Sequence, residues 1–350
     1  MTKTVLNWQL AMLMSAVPGI FCRADEPKPE LLNSGVDDVS FRALAIGSDS
    51  TVFVGGTNGT VLRSADSGAT WDAVAVGDAT SELDFRDVEV ASDGSVVLMS
   101  AGPGETSRLF HSEDGGTSWR TVHRNLNPKG FFNGLAFWEN GKGLVIGDPI
   151  DGKLFLMLTA DFGRTWNVIS GPQMMEGEYG FAASGTGIVA GSNGRAWVAT
   201  GAAASRVLVT DDYGKSWAAV ETGVRHGQQG AGIFSIAVRG KSAVVVGGNY
   251  EQPKLSSKNC AVSDDAGKSW SLPDVQMPHK ACVRWLGDSV ALATGRTGIM
   301  KSIDKGRTWS GVSSESFYVF DFDEASRTAF LAGASGRIAR LSFGDSFGCS

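Results

Sequence analysis

Ser112-Glu113-Asp114-Gly115-Gly116-Thr117-Ser118-Trp119 decides how this chain is read, because its pattern returns five more times. The other copies are Ser64-Ala-Asp66-Ser-Gly68-Ala-Thr70-Trp71, Thr159-Ala-Asp161-Phe-Gly163-Arg-Thr165-Trp166 and Thr210-Asp-Asp212-Tyr-Gly214-Lys-Ser216-Trp217. Ser263-Asp-Asp265-Ala-Gly267-Lys-Ser269-Trp270 and Ser302-Ile-Asp304-Lys-Gly306-Arg-Thr308-Trp309 complete the set. Their aspartates stand 48, 47, 51, 53 and 39 residues apart. Repeats of this length point to a solenoid, a propeller or an array.

The chemistry of the motif is that of a turn. Asp and Ser/Thr side chains can bond the turn's own backbone N–H groups, and the glycine takes the left-handed conformation. The tryptophan opens the next strand and can bury its ring between sheets, where truncation to alanine costs about 3–5 kcal/mol. Asp66, Trp71, Asp114, Trp119, Asp161, Trp166, Asp212, Trp217, Asp265, Trp270, Asp304 and Trp309 are therefore read as structural. Spread around a rim, such aspartates cannot converge on one metal ion or sugar.

Between motifs the pattern is short and alternating, as strands require. The first unit reads 41–46, 51–55, 60–64 and 71–76, and the same order recurs without any helical periodicity of useful length. Four-stranded units repeated radially describe a propeller. After the sixth motif, 317–322, 328–333 and 337–343 supply three strands but no fourth, while 30–36 precedes the first unit as an outer strand would. The expected fold is all-β: a single seven-bladed β-propeller over 25–350, its ring closed by the N-terminal strand so that no sheet edge stays free. Six blades with a decorated end is the alternative.

Composition agrees with one repetitive domain. Forty-six glycines against 10 prolines favour many tight turns over disorder. The net charge of −6 is mild, and no basic stripe suits a nucleic-acid partner. Residues 1–24 read as a signal peptide: Lys3, an apolar run from Leu10 to Phe21, and a cut after Ala24. Bulky Phe21 argues against lipoprotein processing at Cys22. The expected location is secreted or periplasmic, with the membrane involved only indirectly. Cys260, Cys282 and Cys349 remain after cleavage, and buried free thiols are expected. No spacing suits a metal or a cofactor, so neither is expected.

The motifs resemble the Asp-box (bacterial neuraminidase, BNR) repeat propellers. Together with Gly147-Asp148-Pro149-Ile150-Asp151-Gly152, the repeated Phe-Arg or Phe-polar strand starts and the ending Ser335-Gly336-Arg337-Ile338-Ala339-Arg340-Leu341, they are most similar to the photosystem II stability/assembly factor family and its bacterial relatives. That resemblance covers nearly everything after residue 30. It implies a non-enzymatic assembly factor that binds a protein partner.

The motifs join strands three and four of each blade, so they share one face. The starts of the innermost strands and the loops between strands two and three share the other. Aligned by leading hydrophobe, the second positions of the innermost strands are Arg42, Arg86, Asn133, Gly180, Ser235, Lys280 and Tyr318. Cations, an amide and a phenol at one channel mouth would attract a carboxylate or acidic peptide. The joining loops add Asp148, Asp151, Asn249 and Tyr250. The expected function is an exported, monomeric binding scaffold, its partner a protein or acidic peptide, with carbohydrate as the other candidate. The alternative is an exported sialidase-like glycoside hydrolase or lyase. Phe41-Arg42-Ala43-Leu44 is faintly similar to the arginine segment of sialidases without its proline, and Asp148 with Asp151 is the carboxylate pair hydrolysis would need. His111, His123, His226 and His279 are read as surface or turn residues.

Overall fold

Runs such as Val96–Ser100 and Ser242–Asn249 are buried along their whole length, because both faces of each sheet pack on a neighbour. The computed structural model describes residues 27–344. Over that range the chain forms seven antiparallel sheets, the blades of a propeller. The proposed leader, Cys22 and Cys349 lie outside the described residues. The innermost strands are Phe41–Ile46, Phe85–Val90, Phe132–Phe137, Ile188–Ala190, Ala231–Arg239, Cys282–Trp285 and Val319–Asp323. The core lies between blades as wedges. In one, Ala43 and Phe53 of the first blade meet Phe85, Leu98 and Phe110 of the second. Another wedge joins blades six and seven to the first through Leu292, Phe320 and Phe41. Cys260 and Cys282 are free, buried thiols.

The seventh blade takes its outermost strand from the start of the chain. Glu30–Leu32 runs antiparallel to the last strand, with Glu30 opposite Arg340 and Leu32 opposite Ile338. Arg340 donates two hydrogen bonds to the Glu30 carboxylate, at 2.7 and 2.9 Å. A second seam lies nearer the axis, where Phe41 N–H donates to Gly333 O at 2.9 Å and Gly336 N–H to Val39 O at 2.8 Å.

At each motif one aspartate organises the turn. Asp114 Oδ1 accepts from Ser112 Oγ and Ser118 N–H, both at 2.8 Å, while Oδ2 accepts from Ser118 Oγ. Ser112 Oγ in turn accepts from Gly116 N–H. The same bonds recur around Asp66, Asp161, Asp212, Asp265 and Asp304. They hold the carboxyls of Asp66, Asp114, Asp212 and Asp265 down to about 2. Each motif glycine also meets the preceding blade. Gly116 (φ +81°) would place a Cβ 2.3 Å from the Phe53 ring, and Gly163 one 2.5 Å from Val97. Gly68 of the first blade meets Phe330 and Leu32 of the seventh in the same way. The motif is thus both a turn and an interblade contact.

Two blades depart from the plain repeat. The innermost strand of the fourth is only Ile188–Ala190, preceded by an excursion whose strand Glu178–Tyr179 pairs with Gly201–Ala202 and joins the fifth sheet. The fifth blade has a single bridge, Val262 to Ser271, in place of an outer strand. Pro273, which has no N–H to give, follows closely.

The innermost strands have no partner strand on the channel side, so their N–H groups need other acceptors. Side chains of neighbouring blades supply some. Leu135 N–H donates to Asp87 Oδ2 at 2.7 Å, Ile46 N–H to Asp321 Oδ2 at 3.1 Å and Val283 N–H to Ser235 Oγ at 2.9 Å. Burial drives the Asp87 carboxyl up, and burial beside Asp87 drives Glu89 up. Arg284, bonded to Phe320 O and 3.3 Å from Asp321, supplies the balancing charge.

Two predictions follow from these contacts. Gly116→Ala puts a methyl into the Phe53 ring at a left-handed φ and is expected to destabilise by about 2–4 kcal/mol; an unchanged urea midpoint would remove the interblade role. Asp87 and Glu89 bind protons more tightly folded than unfolded. The stability they permit is therefore complete below the ordinary carboxylate range and is lost as pH rises toward neutrality. Asp87→Asn keeps the acceptor for Leu135 N–H and is expected to flatten the fall in urea midpoint between about pH 5 and 8. An equal fall in both proteins would refute this origin.

Candidate functional site

Four of the seven innermost strands share a local irregularity that builds the site. Register slips by one residue between Phe41 and Ala43, between Phe85 and Asp87, between Phe132 and Gly134, and between Ile233 and Ser235. A bulge leaves the skipped residue unpaired and re-aims its side chain. The skipped residues are Arg42, Arg86, Asn133 and Phe234. All four line a cavity of about 460 Å³ at the mouth of the channel. The leading hydrophobes Phe41, Phe85 and Phe132 are fully buried and anchor the bulges from behind.

One wall is cationic. The Arg42 guanidinium lies 4.2 Å above the Tyr318 ring, and burial with nearby Arg86 lowers its proton affinity to about 10. Arg86 donates to Asp84 at 2.5 Å and to Ala182 O at 2.8 Å. Arg296 comes from the two-residue hairpin that joins Ala291–Gly295 to Gly298–Ser302. Among the described residues no carboxylate forms an ion pair with Arg42 or Arg296. The facing wall is aromatic. Phe181 and Phe234 stack with ring centroids 4.0 Å apart and planes 8° from parallel, while Tyr179 meets Phe181 edge-on at 5.6 Å. His279 stands edge-on to Phe234 at 4.6 Å, is buried, and finds no hydrogen-bond partner for either ring nitrogen. Burial with Lys280 and Arg296 nearby lowers its affinity to about 4, so the ring is neutral. Between the walls, Asp148 accepts from Asn133 Nδ2 at 2.9 Å, and burial raises its carboxyl.

Of the residues singled out from sequence, Arg42, Arg86, Asn133, Gly180, Asp148, Tyr250 and Tyr318 line this cavity together. Four do not. Lys280 precedes the innermost strand of its blade, and its ammonium donates into the neighbouring hairpin: 2.7 Å to Gly298 O, 3.0 Å to Thr297 Oγ1 and 3.3 Å to Thr297 O. It fixes the hairpin that presents Arg296. Ser235 points away because the leading hydrophobe of its strand is Ile233, not Phe234, which shifts the alignment by one; its Oγ bonds Thr186 Oγ1. Asp151 sits exposed at a hairpin tip (φ +51°), 3.7 Å from Lys129, so it forms no pair with Asp148 inside the cavity. Asn249 is buried behind the wall, donating to Gln228 Oε1 and accepting from Glu251 N–H around Tyr250.

Arg296, Phe181, Phe234, Tyr179 and His279 were not among the expected site residues, and His279 is a cavity wall rather than a turn residue. Arg296 was within reach, because it sits in a loop between strands two and three, on the face already marked out. The aromatic wall was not, since it needs the excursion before the fourth blade to fold back on the fifth.

No protein-family model matches the chain, and no curated protein matches its sequence. Solved structures do resemble it. YCF48 bound to D1 peptide aligns with a TM-score of 0.66 at 15% identity, over 96% of this chain and 100% of that one. YCF48 from Cyanidioschyzon merolae aligns at 0.61 and 16% identity, over 90% and 98%. A catalytically inactive virginiamycin B lyase from Staphylococcus aureus with quinupristin aligns at 0.66 and 12% identity, over 91% and 100%. At these identities the likeness is one of fold.

Lys280→Met leaves buried Gly298 O and two partly buried Thr297 oxygens without their donor and is expected to destabilise by about 2–4 kcal/mol. Arg42→Ala loses only the stacking on Tyr318 and is expected to cost about 1 kcal/mol or less by the urea midpoint. Equal effects of the two substitutions would contradict the division into a supporting lysine and an arginine without an ion-pair partner.

Proposed function

We propose that this chain is an exported, non-catalytic binding scaffold of the photosystem II stability/assembly factor-like type, holding a peptide segment of a partner protein at the channel mouth. The observation that carries this reading is the pair Arg42 and Arg296, set in a concave site and forming no ion pair with a carboxylate among the described residues. Two unneutralised guanidiniums beside a stacked aromatic wall suit a ligand that brings carboxylates and an apolar side chain together. An acidic peptide has that chemistry. The fold likeness to YCF48, described in complex with a D1 peptide, lends analogy. Export rests on residues 1–24, and the Asp-box assignment on the six motifs themselves.

A second reading, an exported lyase or hydrolase acting on carbohydrate, draws support from Asp148. A carboxyl raised by burial inside a cavity can serve as a general acid. Hydrolysis of a chromogenic glycoside panel, lost in Asp148→Asn, would promote it.

The binding reading is tested with a fluorescein-labelled hexapeptide containing two aspartates and a leucine. Arg42→Ala with Arg296→Ala is expected to weaken binding about a hundredfold and to reduce its dependence on salt, with the melting temperature unchanged. Equal affinity of wild type and double variant would overturn the site assignment.

A further inference from the structure

The cavity at the channel mouth does not end at Asp148 and Tyr179. Those two residues also wall a second depression of about 500 Å³, which runs outward across the excursion between the third and fourth blades. Its far side is made by Met174, Met175 and Glu176. The shared wall is firmly held. Tyr179 Oη donates to Gln229 O at 2.7 Å, and Asp148 is held by Asn133. Glu178, buried next to Tyr179, takes two hydrogen bonds from Arg206 and one from Thr200. The excursion is tied to the third blade through Met174 N–H donating to Gly152 O at 2.8 Å. A ligand leaving the mouth in this direction therefore meets a preformed trough rather than a loop that must first order.

The two depressions differ in charge and in surface. In the mouth, Arg42 and Arg296 form no ion pair among the described residues. Among the described residues that line the trough the one cation, Lys129, is already met by Asp151 at 3.7 Å, while the Glu176 carboxylate is exposed and forms no ion pair among the described residues. Met175 presents a half-exposed thioether beside it. Met suits recognition of varied apolar side chains because it is flexible and polarizable.

We propose that the trough is the second half of one continuous peptide site, and that the ligand is an extended segment of opposed charge. Its acidic end lies among Arg42, Arg86 and Arg296, its middle crosses Asp148 and Tyr179, and its apolar and basic residues lie against Met175 and Glu176. This inference rests on the peptide-binding reading above and adds to it a direction, a length and a sequence preference. A purely acidic peptide satisfies the mouth but is repelled by the trough, so charge polarity along the ligand becomes the specificity element.

The test uses the full chain and three fluorescein-labelled peptides with a common acidic end: Leu-Asp-Asp, Lys-Ala-Leu-Ala-Ala-Leu-Asp-Asp and Glu-Ala-Leu-Ala-Ala-Leu-Asp-Asp. Fluorescence anisotropy is expected to show the lysine octapeptide binding about tenfold more tightly than the tripeptide, and the glutamate octapeptide gaining little over it. Met175→Glu, at an exposed position, is expected to remove the octapeptide's advantage while leaving tripeptide affinity and melting temperature unchanged. Glu176→Lys is expected to reverse the preference between the two octapeptides. Equal affinity of tripeptide and both octapeptides would overturn the extended site and leave the mouth intact as a binding site. Failure of all three peptides to bind wild type would overturn both readings.

Discussion

The close approach of each motif glycine to the blade before it is the contact on which the rest of this structure depends. A glycine such as Gly116 sits where a side chain would strike the Phe53 ring, and its left-handed backbone is enforced by the Asp114 and Ser112 hydrogen bonds behind it. Those bonds make the turn rigid, and the bare backbone lets neighbouring sheets pack closely. Repetition of one short device sets the angle between successive blades. The ring closes because Gly68 meets Phe330 and Leu32 in the same manner, at the place where the chain's beginning lies beside its end.

Closure brings a cost on the inside. Seven innermost strands face a narrow channel with no partner strand, and side chains such as Asp87, Asp321 and Ser235 cap some of their N–H groups. Carboxylates recruited for that purpose are poorly hydrated. Arg284 compensates, and the Asp87 and Glu89 carboxyls hold protons more tightly than free ones do. At the mouth four of these strands bulge, and the skipped residue turns its side chain to the rim. The bulges carrying Arg42, Arg86, Asn133 and Phe234 convert a repeated structural irregularity into a wall of varied chemistry.

The arrangement also separates binding from stability. Gly116 and Lys280 are enclosed and fully engaged, so changes there are felt by the fold. Arg42 and Arg296 form no ion pair among the described residues, which leaves their charge open at the mouth of the channel. An aromatic wall opposite unpaired guanidiniums is an environment that a hydrated channel lining alone does not require.

Much of this was legible before any coordinates. Six copies of one turn, each with a serine or threonine, an aspartate, a glycine and a tryptophan at fixed spacing, pointed to a propeller, and the strands at the two chain ends favoured seven blades over six, because local hydrogen bonding and strand alternation are properties of short segments. They also determined which face would carry Arg42, Arg86, Asp148 and Tyr318. What only the tertiary structure decided was direction within that face. Lys280 reads like another cation of the ring, yet its blade lacks the bulge and the side chain turns into a hairpin. Phe234 and Ser235 exchange roles through a slip of one residue, which reverses the side of the strand a side chain occupies. Phe181 reaches the cavity only because an irregular excursion folds onto the next blade. Register and long-range packing are set by many distant contacts acting together, and no short stretch of sequence contains them.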